Sequence, residues 1–202
     1  MTRRTLARAL TAGLLLAAAA CSKEPLPYAF AANKFKDDVR TNVAVTPEQL
    51  ALSFVDGAGQ PVSLADFRGQ KPVVLVVMRG FPGYVCMFCS AQTAMLVKNH
   101  GEFVKRGAEV LVVYPGPRDR LDDFVRTSRE QVENAAVPFR ILLDPDFKAV
   151  DQLGIRGELA KPSTYILDRQ GQVRFAYVGG SASDRPSLKA LLEQLDQLNT
   201  GG

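Results

Sequence analysis

Cys86-Met87-Phe88-Cys89 is the part of this sequence best suited to chemistry. Two thiols separated by two residues can close as a small disulfide and reopen as a dithiol, so the pair can carry two electrons. The thiolate is the reactive form, and its population is set by pKa. The pair follows a continuous apolar run, Pro72 to Met78, that reads as a strand buried on both faces. It opens a helical stretch from about Met87 to Arg106, read as amphipathic and stopped by Gly107. A helix start presents unpaired N–H groups and a partial positive charge, and both favour a sulfur anion. In this strand–turn–helix setting the two cysteines read as a redox pair.

Competing uses of the thiols are weaker. A zinc site needs four ligands, yet the chain has three Cys and one His, with Cys21 far off in sequence. No metal site and no cofactor are expected. A redox-inert disulfide would gain little, because so short a loop hardly constrains the unfolded chain. His100 falls well inside the helical stretch and reads as a surface or packing residue. Tyr84 and Phe88 flank the thiols, either as an apolar lip for a substrate or as simple packing.

The elements that must position this pair are legible as patterns. Leu50–Val55 and Val62–Leu64 read as a hairpin around Asp56-Gly57-Ala58-Gly59. Glu109–Tyr114 and Phe139–Leu143 read as further strands. Asp119 is placed to cap a helix running to about Glu130, and Asp144-Pro145-Asp146 to cap a short one ending at Gly154. Ser163–Leu167 and Val173–Val178 form a second hairpin, and Pro186–Leu198 a closing helix with a leucine face. The order predicts an α/β domain with a central mixed sheet and helices on both faces.

The chain has 202 residues, 47% of them hydrophobic and 23% charged, enough for one domain with a real core. The net charge of +4 includes Arg3, Arg4 and Arg8 of the N-terminal segment. Without those three the balance is 22 basic against 21 acidic residues. That is no electrostatic footprint for nucleic acid, which needs clustered positive charge.

Residues 1–20 read as a signal peptide: Arg3 and Arg4 precede a short apolar stretch, Ala9 to Ala20, too short to span a bilayer. Ala18-Ala19-Ala20-Cys21 resembles a bacterial lipobox, with Ala18 where that pattern prefers Leu. The resemblance implies lipidation of Cys21, a membrane anchor and a place in the cell envelope on the periplasmic side. Residues 21–47 carry Pro25, Pro27 and a mixed-charge stretch without sustained period, and read as a linker. The redox domain is then 48–202.

Two family resemblances follow from the motifs. Cys86-x-x-Cys89, with Lys161-Pro162-Ser163-Thr164 entering a strand, resembles thioredoxin-like proteins. That resemblance implies a thioredoxin fold with Pro162 in the cis form beside the disulfide, shaping the binding of a partner thiol. Phe81-Pro82-Gly83-Tyr84-Val85-Cys86-Met87-Phe88-Cys89 resembles the peroxiredoxin motif of the AhpC/TSA family, Pro-x-x-x-Thr/Ser-x-x-Cys. Pro82 and Cys89 are in register, which puts Cys89 at the peroxidatic position, while Cys86 stands where that family has Thr or Ser. The family also has an Arg near Pro162 that stabilises the thiolate. Pro162 replaces it, and Arg79 is the nearby candidate to substitute.

The two resemblances imply opposite roles for the same thiols. In a peroxidase, Cys89 attacks peroxide and Cys86 resolves the sulfenic acid, with an external thiol reductant restoring the pair. In a thioredoxin-like exchange enzyme, Cys86 attacks a partner disulfide, Cys89 resolves, and Pro162 holds the substrate backbone. The expected substrate is thus a peroxide or a protein disulfide. A copper carrier for oxidase assembly is a third, non-enzymatic possibility, resting on soft thiolates.

Overall fold

The computed structural model describes residues 35–200. The central strand is β3 (Val73–Val77), and all five of its residues are buried. It pairs in parallel with β4 (Glu109–Tyr114) and antiparallel with β6 (Ser163–Leu167). Outward from β4 lies β5 (Arg140–Leu143), again parallel, and outward from β6 lies β7 (Val173–Val178), antiparallel. A hairpin of β1 (Ser53–Asp56) and β2 (Pro61–Ser63) extends the β5 side. The seven-stranded order is β2-β1-β5-β4-β3-β6-β7.

Parallel neighbours require a crossover, and helices supply each one. The β3–β4 crossover is α1 (Met87–Lys98) followed by α2 (His100–Lys105), and the β4–β5 crossover is α3 (Leu121–Glu130). A short α4 (Lys148–Gln152) precedes β6, and α5 (Leu188–Thr200) closes the domain.

Alternation along β3 separates two cores. Val74, Val76 and Met78 face one layer with Leu96 of α1, Phe103 of α2, Phe124 of α3 and Leu191 and Leu195 of α5. Val73, Leu75 and Val77 face the other layer with Leu50, Leu52 and Leu64 and with Ala149 and Val150 of α4. This is the mixed sheet with helices on both faces that the sequence predicts.

Three local readings are corrected. The stretch from Met87 to Arg106 is two helices, broken at Asn99, whose side chain donates to the Met95 carbonyl at 2.8 Å. α1 is not amphipathic either: Cys89 through Val97 are all buried, as in a helix enclosed on every side. Asp119 lies in a 3-10 turn, Arg118–Arg120, and Arg120 rather than Asp119 is the residue before α3.

The fourth difference concerns the linker. Residues 35–47 pack on the domain instead of leading away from it. Val39 is buried in the α1/α5 core, and Val43 and Val45 lie against the opposite one. Asn42 bonds the end of β7 twice, from Nδ2 to the Val178 carbonyl and from the Val178 N–H to Oδ1, each at 2.9 Å. Asn42 N–H also reaches the Ala176 carbonyl at 3.0 Å, and Thr41 Oγ1 accepts from Ala176 N–H. This strap satisfies backbone groups that an edge strand would otherwise leave open. The signal peptide, Cys21 and the rest of the linker lie outside the described residues.

Candidate active site

The site forms where three strand ends meet. Val77 of β3 is level with Ser163 of β6 and Val113 of β4, and Ser163 is level with Val178 of β7. The β3–α1 loop (78–86), Pro162 and the β7–α5 loop (179–187) therefore converge at one edge of the sheet. Arg79 accepts the Ala160 N–H at 3.1 Å, and the Gly179 N–H donates to the Pro162 carbonyl at 2.8 Å. These two bonds tie all three segments together.

Cys86 is the residue before α1, and Cys89 lies in its first turn. The Ser90 N–H closes the first helical turn onto the Cys86 carbonyl at 3.0 Å. No side chain caps this end, so the helix's positive pole falls on the sulfurs. Both cysteines are free thiols and both are buried, Cys89 to 1% exposure and Cys86 to 5%.

The decisive neighbour is a residue the sequence did not single out. Arg185, 1% exposed, comes in from the β7–α5 loop and points Nη2 at Cys89 Sγ, 3.3 Å away. Its other partners are the Gln92 Oε1, the Ala182 carbonyl at 2.9 Å and the Met78 Sδ at 3.6 Å. None of these is a carboxylate. A buried cation needs an anion, and among its direct partners the sulfur of Cys89 is the one group able to become one.

The acidities follow. Burial works against a thiolate at Cys89, but it is outweighed by the Cys86 S–H turned toward that sulfur, the Arg185 charge and the Arg79 backbone N–H. Cys89 is thereby held below the ordinary thiol range. Cys86 moves the other way: donating to Cys89 raises it first and burial adds to that, so it stays protonated. Of the two thiols, Cys89 is the one favoured to ionise, because the Arg185 guanidinium faces its sulfur.

A family model for "AhpC/TSA family" matches residues 41–176. The chain belongs to the AhpC/TSA family. One similar protein is the thiol-disulfide oxidoreductase ResA of Halalkalibacterium halodurans, 26% identical over 157 residues, which span 77% of this chain and 79% of that one. Another is peroxiredoxin Bcp of Escherichia coli, 29% identical over 135 residues, 62% of this chain and 80% of that one. The fold is shared with peroxiredoxin 6 of Arenicola marina, with a TM-score of 0.65 at 15% identity, covering 77% of this chain and 74% of that one. This AhpC/TSA protein is accordingly a thiol-dependent oxidoreductase, a peroxidase or a disulfide-exchange enzyme.

The remaining site residues fall as follows. Arg79 does not substitute with its guanidinium, which turns outward to Glu158 at 3.5 Å; its backbone N–H contributes to lowering Cys89, behind Cys86 and Arg185. Pro162 is at the site, but no peptide bond among the described residues is cis, so the expected cis form is not observed. Its carbonyl instead anchors the loop that carries Arg185. Pro82 is half-buried in the loop before the thiols. Tyr84 is 65% exposed there, while Phe88 packs on the core. His100 stands beside Phe139, with ring centroids 6.0 Å apart, as a packing residue. Sequence reasoning also missed Gln92. Its one signal is a long polar side chain in the middle of the apolar helix, three residues after Cys89.

Proposed function

We propose that this protein is a thiol peroxidase of the cell envelope in which Cys89 attacks and Cys86 resolves. The observation that carries the reading is the buried Arg185 guanidinium against Cys89 Sγ, 3.3 Å away. The Cys89 thiolate attacks one peroxide oxygen, the O–O bond breaks, and the departing alkoxide or hydroxide takes a proton. Cys89 is then a sulfenic acid. The negative charge that held the Cys86 proton in place is now gone, and Arg185 is left without its anion. Both changes make Cys86 more acidic. Cys86 attacks the sulfenic sulfur, water leaves, and the disulfide forms. An external dithiol gives up two electrons and two protons to restore the pair.

Arg185 makes this edge unfavourable for Cu(I), since a cation beside Cys89 competes with a second one. Disulfide exchange is supported by the similarity to ResA and by the slightly greater exposure of Cys86. Single-cysteine variants separate the two readings. Cys86→Ser protein treated with peroxide is expected to form a sulfenic acid trappable by dimedone, and Cys89→Ser protein is not. If Cys89→Ser instead accumulates mixed disulfides with proteins and neither variant reacts with peroxide, the peroxidase reading is wrong.

The envelope location rests on Arg3, Arg4, the apolar stretch and the Ala-Ala-Ala-Cys21 sequence. Mass spectrometry of the native N-terminus should find a lipidated Cys21. An unmodified Cys21 would refute the anchor.

A further inference from the structure

Arg185 has no rigid element of its own. It sits in the loop 179–187 between β7 and α5, yet its guanidinium must hold a fixed place against Cys89. What fixes it comes from the opposite end of the chain. The Lys36 N–H donates to the Arg185 carbonyl at 2.8 Å, and the Ser187 N–H donates to the Lys36 carbonyl at 2.8 Å. Lys36 and Pro186 form a parallel bridge. The backbone of Arg185 is thus bracketed on both sides by one residue of the strap.

The Lys36 side chain closes a second bracket. Its Nζ lies 2.8 Å from Asp184 Oδ1 and 3.4 Å from the Tyr177 hydroxyl. That hydroxyl donates to the same Asp184 oxygen at 2.7 Å, and the Gly180 N–H donates to Asp184 Oδ2 at 2.9 Å. Asp184 therefore joins β7, its own loop and the strap immediately before Arg185. Asp37 accepts from Ser187 Oγ just beyond it.

We propose that Lys36, acting through Asp184, is a positioning residue for Arg185, so that docking of the N-terminal strap sets the reactivity of Cys89. This rests on the reading of Cys89 as the working thiolate. Lys36 itself touches neither thiol. Its ammonium is partly exposed, so an isolated surface pair here would contribute little to stability. Its effect is geometric. Sulfur–guanidinium attraction depends steeply on distance and burial, and an unpinned loop would let water in beside the cation. The titratable groups coupled to Cys89 are Arg185, 3.3 Å from its sulfur, Cys86 and, by charge alone, Tyr114 at the end of β4. Those facing Lys36 are Asp184 and Tyr177. Neither Asp184 nor Tyr177 is among the groups acting on the sulfur, so a change at Lys36 must travel through the loop.

The test is the pH profile of thiol alkylation by iodoacetamide, on the full chain and in the Cys86→Ser background so that one site thiol reports. Peptide mass analysis after protease digestion separates the Cys89 peptide from that of Cys21. Lys36→Met is expected to move the Cys89 midpoint upward and to cut alkylation at neutral pH by about 3- to 10-fold. Lys36→Arg should restore it, and Lys189→Met, which removes a surface pair on α5, should leave it alone. Thermal unfolding of the same variants shows whether each is folded.

If Lys36→Met leaves the midpoint unmoved while Arg185→Met raises it, the positioning role is refuted and the Arg185–Cys89 pair stands. If neither moves it, both fall. If Lys36→Met raises the midpoint in a protein that does not react with peroxide, the positioning role stands and the peroxidase reading fails.

Discussion

Arg185 and Cys89 are 96 residues apart in the chain and 3.3 Å apart in the fold. The guanidinium has no carboxylate among its partners, so the thiolate is its counter-ion. Oxidation to the Cys86–Cys89 disulfide removes that counter-ion and leaves a buried cation facing neutral sulfur.

The reduced form is therefore favoured, and the couple should be oxidising for a C-x-x-C pair, as when a stabilised thiolate makes a disulfide easy to reduce. Arg185→Met is expected to make the couple more reducing by tens of millivolts, with about 30 mV for each 1.4 kcal/mol of lost thiolate stabilisation. Equilibration in glutathione buffers measures this. An unchanged potential would mean that Arg185 holds the loop and does not hold the charge.

Stability should depend on pH through the same pair. Cys89 has a lower pKa folded than unfolded, so its contribution is present above the unfolded thiol value and is lost as pH falls through the folded one. Cys86 is raised, so its contribution is present below the unfolded value and is lost as pH climbs above it. Wild-type protein should thus gain on Cys89→Ser between mildly acidic pH and about pH 8–9, the free-thiol range, with a slope of up to about 1.4 kcal/mol per pH unit. Urea unfolding at several pH values checks it; parallel curves for the two proteins would contradict the assignment of the charge to Cys89.

Gly179 and Gly101 make a paired prediction about backbone approach. A Cβ at Gly179 would lie 2.1 Å from the Asp184 carbonyl oxygen and 3.1 Å from that of Pro162. Gly179→Ala should destabilise by about 1–3 kcal/mol, as overpacking does, and should slow Cys89 alkylation by shifting the Arg185 loop. At Gly101, inside α2, a Cβ meets nothing within 4 Å. Gly101→Ala should stabilise by up to about 1 kcal/mol through helix propensity and leave alkylation unchanged. Denaturant midpoints and alkylation rates read both.

The thiol pair and most of the frame were legible because both leave local patterns. Stretches rich in β-branched and aromatic residues mark β4, β6 and β7 to the residue, and the second hairpin follows from Asp168–Gly171. Asp144 was legible as a cap; its carboxylate accepts from the Ala149 and Val150 N–H groups at 3.1 Å each. Arg185 was not, because a loop residue has no period and its partner is distant in the chain. Arg79 looked the better candidate for the opposite reason: it ends the strand that leads to the thiols, but its peptide group does the work. The strap has the pattern of a linker because it pairs through backbone groups, Thr41 and Asn42, and only Val39 among its residues is buried. Such a segment has the composition of a linker.

The late position of Arg185 also sets an order of events for a newly made chain. Chains emerge from the N-terminus, so Cys86 and Cys89 are synthesised well before the loop that carries the guanidinium. Until that loop docks, Cys89 lacks the Arg185 charge that helps hold it below the ordinary thiol range, and is the slower toward oxidants for it. Its full reactivity waits until the last helix and the strap have closed around residue 185. The nascent chain is in this way protected from the chemistry that the folded protein performs.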